Sequence, residues 1–296
     1  MTGILLLDKP QNMTSFVAAN RVKRFSGAKK TGHTGTLDPM ATGVLPILLG
    51  GATRFCELLP THDKAYRATL KLGITTDTLD IWGEVLEERE VSVTFEEFKS
   101  ALESFEGTTM QMPPMYSAIS QNGVRLYKLA RQGIEVERPK REITIHSSIV
   151  SHDDKNHEYT IDVECSSGTY IRSLISDIGE KLGCGAVMTA LVRTKANGFS
   201  LDDCITLEEL QKLQEENRVE EFVIPVEKAL SSYREISVTP AQAKRFANGG
   251  ELGLNRLKEP LETKGEYIRV NSPDNEFIGI GEVGDESLTV KRLLIK

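Results

Sequence analysis

Cysteine and histidine are scarce in this chain, with four and five copies among 296 residues. Cys56, Cys165, Cys184 and Cys204 stand far apart with no C-x-x-C pair, so nothing suggests a zinc site or a dithiol redox centre. They read as reduced core thiols of a cytosolic protein. The histidines lack metal-ligand spacing, and His152 and His157, which flank Asp153 and Asp154, belong to what reads as a solvated hairpin tip. Long apolar runs are missing too. The run at residues 4–7 is closed at once by Asp8 and Lys9, too short for a membrane span or a signal peptide. There is no P-loop, no G-x-S-x-G and no internal repeat. Gly279, Gly281 and Gly284 fit G-x-G-x-x-G, yet a strand rather than a helix follows them, so a dinucleotide site fails on context.

Acid is abundant overall, 43 residues against 36 bases for a net charge of -7, but it is nearly absent from one region. Residues 9–56 hold seven Lys and Arg and a single acid, Asp38, while residues 84–106 and 202–221 each hold eight acids against two bases. Such segregation predicts one basic face on an acidic body, a surface that suits nucleic acid despite the negative sum. Asp38 lies in T-G-H-T-G-T-L-D-P-M-A-T-G, residues 31–43, whose three glycines and one proline rule out an ordinary helix or strand. An isolated Asp-Pro is more often a turn former than a catalyst. A lone carboxylate on a loop within a basic region is also what an enzyme needs to act on a polyanion without repelling it, and the charge pattern moves the balance that way.

Around this loop the chain reads as mixed α/β, long enough for one large domain and a small one. Residues 3–7 form a buried strand stopped by Pro10. Thr14 or Ser15 caps a helix with Ala18, Val22 and Phe25 on one face and Arg21 and Arg24 on another. Residues 44–49 give a second apolar strand, and Thr53 opens a short helix. Residues 64–73 alternate, turning Tyr66, Ala68, Leu70 and Leu72 inward. An inward tyrosine is more often core than catalyst. Thr94 and Glu97 mark a capping box, and residues 142–150 and 159–165 a hairpin. Next comes a helix with Ile171, Leu174, Ile175, Ile178 and Leu182 at the helical period. Arg172 falls in its first turn, where the dipole disfavours a cation. That misplacement makes sense if Arg172 serves an anion, the plain alternative being a structural ion pair elsewhere. Residues 188–196 form a further strand, and another helix starts near Thr206. Pro225 and Pro240 mark the passage to a C-terminal module of one helix, residues 240–247, and strands near 266–270, 276–283 and 287–295, which suggest a small β-barrel.

With G-H-T-G-T-L-D-P-M-A-T-G, K-A-Y-R-A and C-S-S-G-T-Y-I-R in this order, the sequence resembles the TruB family of bacterial tRNA pseudouridine synthases over essentially its whole length. D-K-P near the start, L-V-R at residues 191–193 and a C-terminal module resembling a PUA domain fall where that family has them. The resemblance implies a mixed-sheet α+β pseudouridine synthase domain over residues 1–230 and a PUA-like RNA-binding barrel over residues 231–296. It implies isomerisation of uridine 55 in the T-loop of tRNA to pseudouridine, the flipped uracil being detached, turned and rejoined through carbon 5. By the same resemblance Asp38 is the catalytic carboxylate, Tyr66 stacks on the base and helps remove the carbon 5 proton, and Arg172 pairs with Asp38. His33 would wedge into the T-loop, Tyr170 and Leu191 would line the uracil pocket, and Lys9 with Pro10 would support the active-site loop. No step is a redox or group transfer, so no organic cofactor and no metal is expected. The expected partner is the T-arm of tRNA, with no membrane, and the expected state is a cytosolic monomer. A guide-dependent archaeal or eukaryotic relative, which carries an N-terminal extension, is disfavoured by a first strand at Gly3. Two rivals of other classes are a non-catalytic tRNA-binding or folding protein, in which Asp38 only shapes a loop, and a nucleoside hydrolase or glycosylase that releases uracil.

Overall fold

The computed structural model describes residues 1–121, 123–153 and 157–294, so residues 154–156 of the expected hairpin tip, 152–157, lie outside the described residues. One sheet dominates. Its strands are β1 (Gly3–Lys9), β2 (Thr31–His33), β3 (Thr42–Leu49), β4 (Lys64–Leu72), β5 (Gly107–Gln111), β6 (Arg141–Asp153), β7 (Glu158–Cys165), β8 (Ala186–Ala196), β9 (Phe199–Ser200) and β10 (Val223–Ile224). The spatial order is β10-β1-β3-β8-β4-β7-β6-β5, with β2 on β3 and β9 on β8. Every pairing is antiparallel except β3 with β8, which run parallel at Val192 to Thr42 and Arg193 to Gly43. The expected mixed sheet is therefore present, and its parallel join is what opens a place for the Asp38 loop. One edge of β3 is taken by β1. The other is shared, its start by β8 and its end by β2, where Leu49 faces Thr31 and Ile47 faces His33. Residues 34–41 leave the sheet in that gap.

The join is tight. Gly43 has φ 101, and a Cβ there would stand 2.2 Å from the Arg193 carbonyl oxygen. Gly43→Ala meets backbone rather than a side chain that could swing away, so it is expected to cost about 3 kcal/mol or more of stability. A lowered thermal midpoint checks this; an unchanged one would mean that β3 and β8 can separate at no cost.

The four longest α-helices of this part of the chain pack on the sheet. Helix α1 (Ser15–Ser26) begins where the Val17 N–H donates to the Thr14 hydroxyl at 3.2 Å and ends at Gly27, φ 65. Thr14 is thus the cap, and Ser15 is left for another task described below. Ala18, Ala19 and Val22 are buried with Leu5, Leu7, Leu45 and Ile47 in one apolar cluster, and Phe25 packs against it half-buried. Helix α2 (Phe95–Glu103) opens with the expected Thr94–Glu97 capping box. Helix α3 (Ile171–Lys181) buries Ile171, Leu174, Ile175 and Ile178 in a second cluster with Tyr66, Ala68, Leu70 and Leu72 of β4, whose alternation is as expected. Helix α4 (Leu207–Glu215) adds Leu207, Leu210 and Leu213 to the first cluster. The short helix expected from Thr53 is a 3-10 helix, Gly50–Leu58, already under way three residues earlier.

A second, five-stranded sheet follows, in the order Glu235–Ser237, Tyr267–Asn271, Phe277–Val283, Ser287–Leu293, Leu252–Gly253, with helix Pro240–Ala247 beside it. Its strands shift register at Val270/Asn271 and Ile280/Gly281, which curls it into the small barrel-like unit expected. The G-x-G-x-x-G run is explained here: a Cβ on Gly279 would stand 2.2 Å from the Arg292 carbonyl oxygen of the neighbouring strand. The two sheets share a core. Phe277 and Ile280 pack with Ile4, Leu6, Leu48 and Phe55, the Phe55 and Phe277 rings are 5.9 Å apart, and the Tyr233 hydroxyl donates to the Leu58 carbonyl at 2.8 Å.

Candidate active site

The Asp38 loop is fixed from both sides. Ser15, released from capping, donates its hydroxyl to the Leu37 carbonyl at 3.0 Å and accepts the Leu37 N–H at 2.8 Å. The Asn12 N–H donates to the Pro39 carbonyl at 2.8 Å, and Leu37, Met40 and Ala41 are sunk into the cluster that holds Tyr66 and Leu191. With its neighbours pinned, Asp38 is left half-exposed.

Arg172 reaches Asp38 from the first turn of α3. Its Nη2 stands 2.9 Å from Asp38 Oδ2 and its Nη1 3.8 Å from Asp80 Oδ2. The same two nitrogens donate to the carbonyls of Thr78 and Tyr116, each at 2.8 Å. The guanidinium is almost wholly buried, so these four oxygens replace its water. The anion that justifies a cation at a helix N-terminus is thus the Asp38 carboxylate, with Asp80 behind it. No side chain caps this helix start. Gln111 brackets it instead, donating to the Tyr170 carbonyl at 3.0 Å and accepting the Tyr170 N–H at 2.8 Å. Burial pushes the Asp80 carboxyl above its ordinary range, against the Thr78 hydroxyl, Arg172 and the Trp82 N–H, which all favour the anion.

Beneath Asp38 lies a second buried cation that sequence reasoning passed over except as part of a strand motif. Arg193, opposite Tyr66 in the β4–β8 ladder, is fully buried and held by carbonyls: Nε donates to Val44 at 2.7 Å and Nη2 to Gly35 at 3.2 Å. Burial lowers its pKa, and Tyr66 opposes that. Burial in turn pushes the Tyr66 hydroxyl up to about 12, with Arg193 favouring the phenolate. At neutral pH Tyr66 is a phenol poised against a cation. Leu191, two residues before Arg193, shares the Tyr66 cluster.

The remaining expected residues ring this centre. Tyr170 stands two residues before Arg172, its ring facing the Arg141 guanidinium at 5.8 Å. His33 ends β2, its Nδ1 buried without a hydrogen-bond partner; burial, with Arg193, holds its pKa below the usual value, so the ring is neutral at pH 7. Lys9 ends β1 wholly buried, its Nζ donating to the carbonyls of Pro10 at 2.8 Å and Met13 at 2.7 Å. Burial lowers its pKa from the ordinary 10.5 to about 8, against the attraction of Asp38. Between those values the unfolded chain binds the additional proton, so Lys9 makes stability rise as pH goes from about 8 to about 10.5. Lys9→Met removes this rise, and the variant is expected to lose ground against the native chain between pH 7.5 and pH 10. Urea unfolding of both proteins at the two pH values measures it; parallel curves would refute the lowering of the Lys9 pKa by burial.

The TruB family pseudouridylate synthase N-terminal domain matches residues 23–171, the tRNA pseudouridylate synthase B C-terminal domain residues 172–231, and the pseudouridine synthase II TruB C-terminal domain residues 235–294. The tRNA pseudouridine synthase B of Clostridium tetani is 46% identical over 297 residues, covering all of both chains. The protein of that name from Shewanella pealeana is 42% identical, over 99% of this chain and 94% of its own. Among solved structures, a Cbf5-Nop10-Gar1 complex contains a chain of the same fold, with TM-score 0.76 at 24% identity over 99% of this chain and 85% of that one. Relatives aligned along the entire chain, and family domains that match residues 23–231 and 235–294, place this protein in the TruB family of pseudouridine synthases.

Proposed function

We infer that this chain converts a uridine of tRNA to pseudouridine, and that the target is uridine 55 in the T-loop. The observation that carries the reading is the Asp38–Arg172 pair, a half-exposed carboxylate fixed by a buried guanidinium on a loop packed with Tyr66 and Leu191, which we read as the apolar wall of the uracil pocket. A uracil flipped out of its loop would lie on that wall, its unstacking offset by burial against the tyrosine. Breaking the bond between N1 and the sugar develops positive charge at C1′, which the Asp38 carboxylate stabilises or captures. The detached uracil turns within the pocket, C5 bonds to C1′, and the C5 proton leaves while N1 takes one up, with Tyr66, a phenol at neutral pH, suited to relay it. Arg193 is suited to that step because it favours the phenolate. Nothing is gained or lost overall, as an isomerisation requires. Tyr170 completes the wall, His33 is the wedge beside the loop, and Lys9 holds the carbonyls at the base of the loop.

A hydrolase would activate water with a second carboxylate. One does fold in, unseen from the sequence: Asp80. It is buried behind Arg172 and occupied by the Thr78 hydroxyl at 2.8 Å and the Trp82 N–H at 3.1 Å, which favours rejoining over release of uracil. Two of the bases of residues 9–56, Lys30 and Arg54, share a basic cleft with the C-terminal sheet, which supports an RNA substrate. Lys30, Arg54, Lys291 and Arg292, against Glu57, line a cleft of about 490 Å³ where the 3-10 helix meets the C-terminal sheet. Residues 1–230 are taken as the catalytic domain and residues 231–296 as the RNA-binding one, acting as a monomer in the cytosol; among the described residues no helix is long and apolar enough to cross a membrane.

The test is pseudouridine mapping at every uridine of an unmodified tRNA transcript. Product confined to the T-loop is expected. Free uracil would establish a hydrolase, and tight binding without product a tRNA-binding protein.

A further inference from the structure

The chain has a single tryptophan, and it is neither buried nor remote from the site: Trp82 is 52% exposed. It stands on the turn that delivers Asp80 to Arg172. That turn is over-determined. The Thr76 hydroxyl donates to the Asp80 carbonyl at 2.8 Å, the Thr78 hydroxyl to Asp80 Oδ1 at 2.8 Å, and the Ile81 N–H to the Met188 carbonyl of β8 at 2.9 Å. Asp77 accepts the Glu84 N–H at 2.8 Å and the Tyr116 hydroxyl at 3.1 Å. Leu79 is forced to φ 64, a left-handed conformation that a bulky residue adopts only under such constraint. The Trp82 N–H itself donates to Asp80 Oδ1 at 3.1 Å. Its backbone is thus tied, through Asp80 and Arg172, to Asp38.

Leaving half of a large aromatic in water on a strained, immobile turn costs hydration free energy that a polar residue would avoid. The position makes sense if something covers the ring. We propose that Trp82 is a substrate-binding residue, a stacking platform for a base next to the flipped uridine. The inference rests on the tRNA reading above. Its physical basis is that every base offers a π-face, that stacking on an exposed aromatic holds single-stranded or extruded nucleotides whatever their identity, and that a preorganised ring loses little entropy on contact. Two acids stand beside Trp82, Asp77 and Glu84; the Asp77 carboxylate is engaged by Tyr116 and the Glu84 N–H.

Because Trp82 is the only tryptophan, its fluorescence reports on this one position. In the Asp38→Asn chain, which is expected to bind tRNA without turning it over, titration with unmodified transcript should quench the emission saturably, at the concentration where independent binding saturates. Trp82→Ala should raise KM about tenfold or more with kcat nearly unchanged, and Trp82→Phe should recover most of the loss. Emission unmoved at saturating tRNA overturns the proposal, as does a Trp82→Ala enzyme with native KM. Equal losses of kcat in both variants with KM intact would show a structural turn residue instead, and emission that follows protein concentration without RNA would show self-association through the neighbouring Ile81, Val85 and Leu86; either overturns it. A native chain that makes no pseudouridine refutes the functional reading, whereas one that modifies tRNA without changing the Trp82 signal refutes this contact alone.

Discussion

Asp38→Asn is expected to abolish pseudouridine formation, by about 10⁴-fold or more, while leaving tRNA binding within a few-fold of native. The substitution keeps size and shape and removes only the charge. Asp38 is half-exposed, its loop is pinned by Ser15, Asn12 and the buried Leu37 and Met40, and Asp80 remains beside Arg172, so the fold and the RNA surface are expected to survive the loss of its charge. What is lost is the group that can stabilise or capture positive charge at C1′. The measurement is single-turnover conversion of a tRNA transcript at saturating enzyme, with affinity determined separately. A variant retaining more than about one hundredth of native turnover would remove Asp38 from the chemistry and favour the loop-shaping role that any Asp-Pro invites.

Arg172→Met carries the second largest expected effect, and here activity and stability fall together. The side chain serves two carboxylates and two carbonyls at once, at 2.9, 3.8, 2.8 and 2.8 Å. Removing it leaves the Thr78 and Tyr116 carbonyls without this donor and Asp80 without its counter-charge. Breaking a buried pair from one side typically costs about 3–5 kcal/mol. Turnover should fall about 10³-fold, because Asp38 loses the partner that orients it. Arg172→Lys separates charge from geometry. An ammonium on a single stem cannot span four divergent acceptors, so it should recover part of the stability and little of the rate. Full activity in the lysine variant would mean that a positive charge suffices and the fork is irrelevant.

How much of this was legible beforehand differs from residue to residue. Tyr66 and Leu70 lie inward because strand alternation is a local rule, and β4 obeys it along its length. Arg172 announced itself by standing where a helix dipole repels a cation. Asp38 stood out because a stretch rich in base held no other acid. Asp80 gave no such signal: one acid among 43, on a turn, it differs from the rest only in being carried under Arg172 by pairing with β8. Arg193 was equally silent, since a basic residue in a strand reads as exposed and only the parallel β3–β8 join buries it. Ser15 passed for a helix cap, although its hydroxyl serves a residue 22 positions away. The edge strands Glu235–Ser237 and Leu252–Gly253 are too short to show a period of their own.

The sequence by itself determined the longer elements, the segregation of charge, the unusual loop at Asp38 and, through its motifs, the family, because each of these depends on neighbours in the chain. Only the tertiary structure decided what surrounds the carboxylate. Asp38, Arg172, Asp80 and Arg193 lie on four separate segments, and their spacing in the chain carries no information about distance. Strand order does: a sheet that joins β3 to β8 in parallel opens a gap at its middle, puts one arginine beneath that gap and another at its rim, and leaves a single carboxylate facing out.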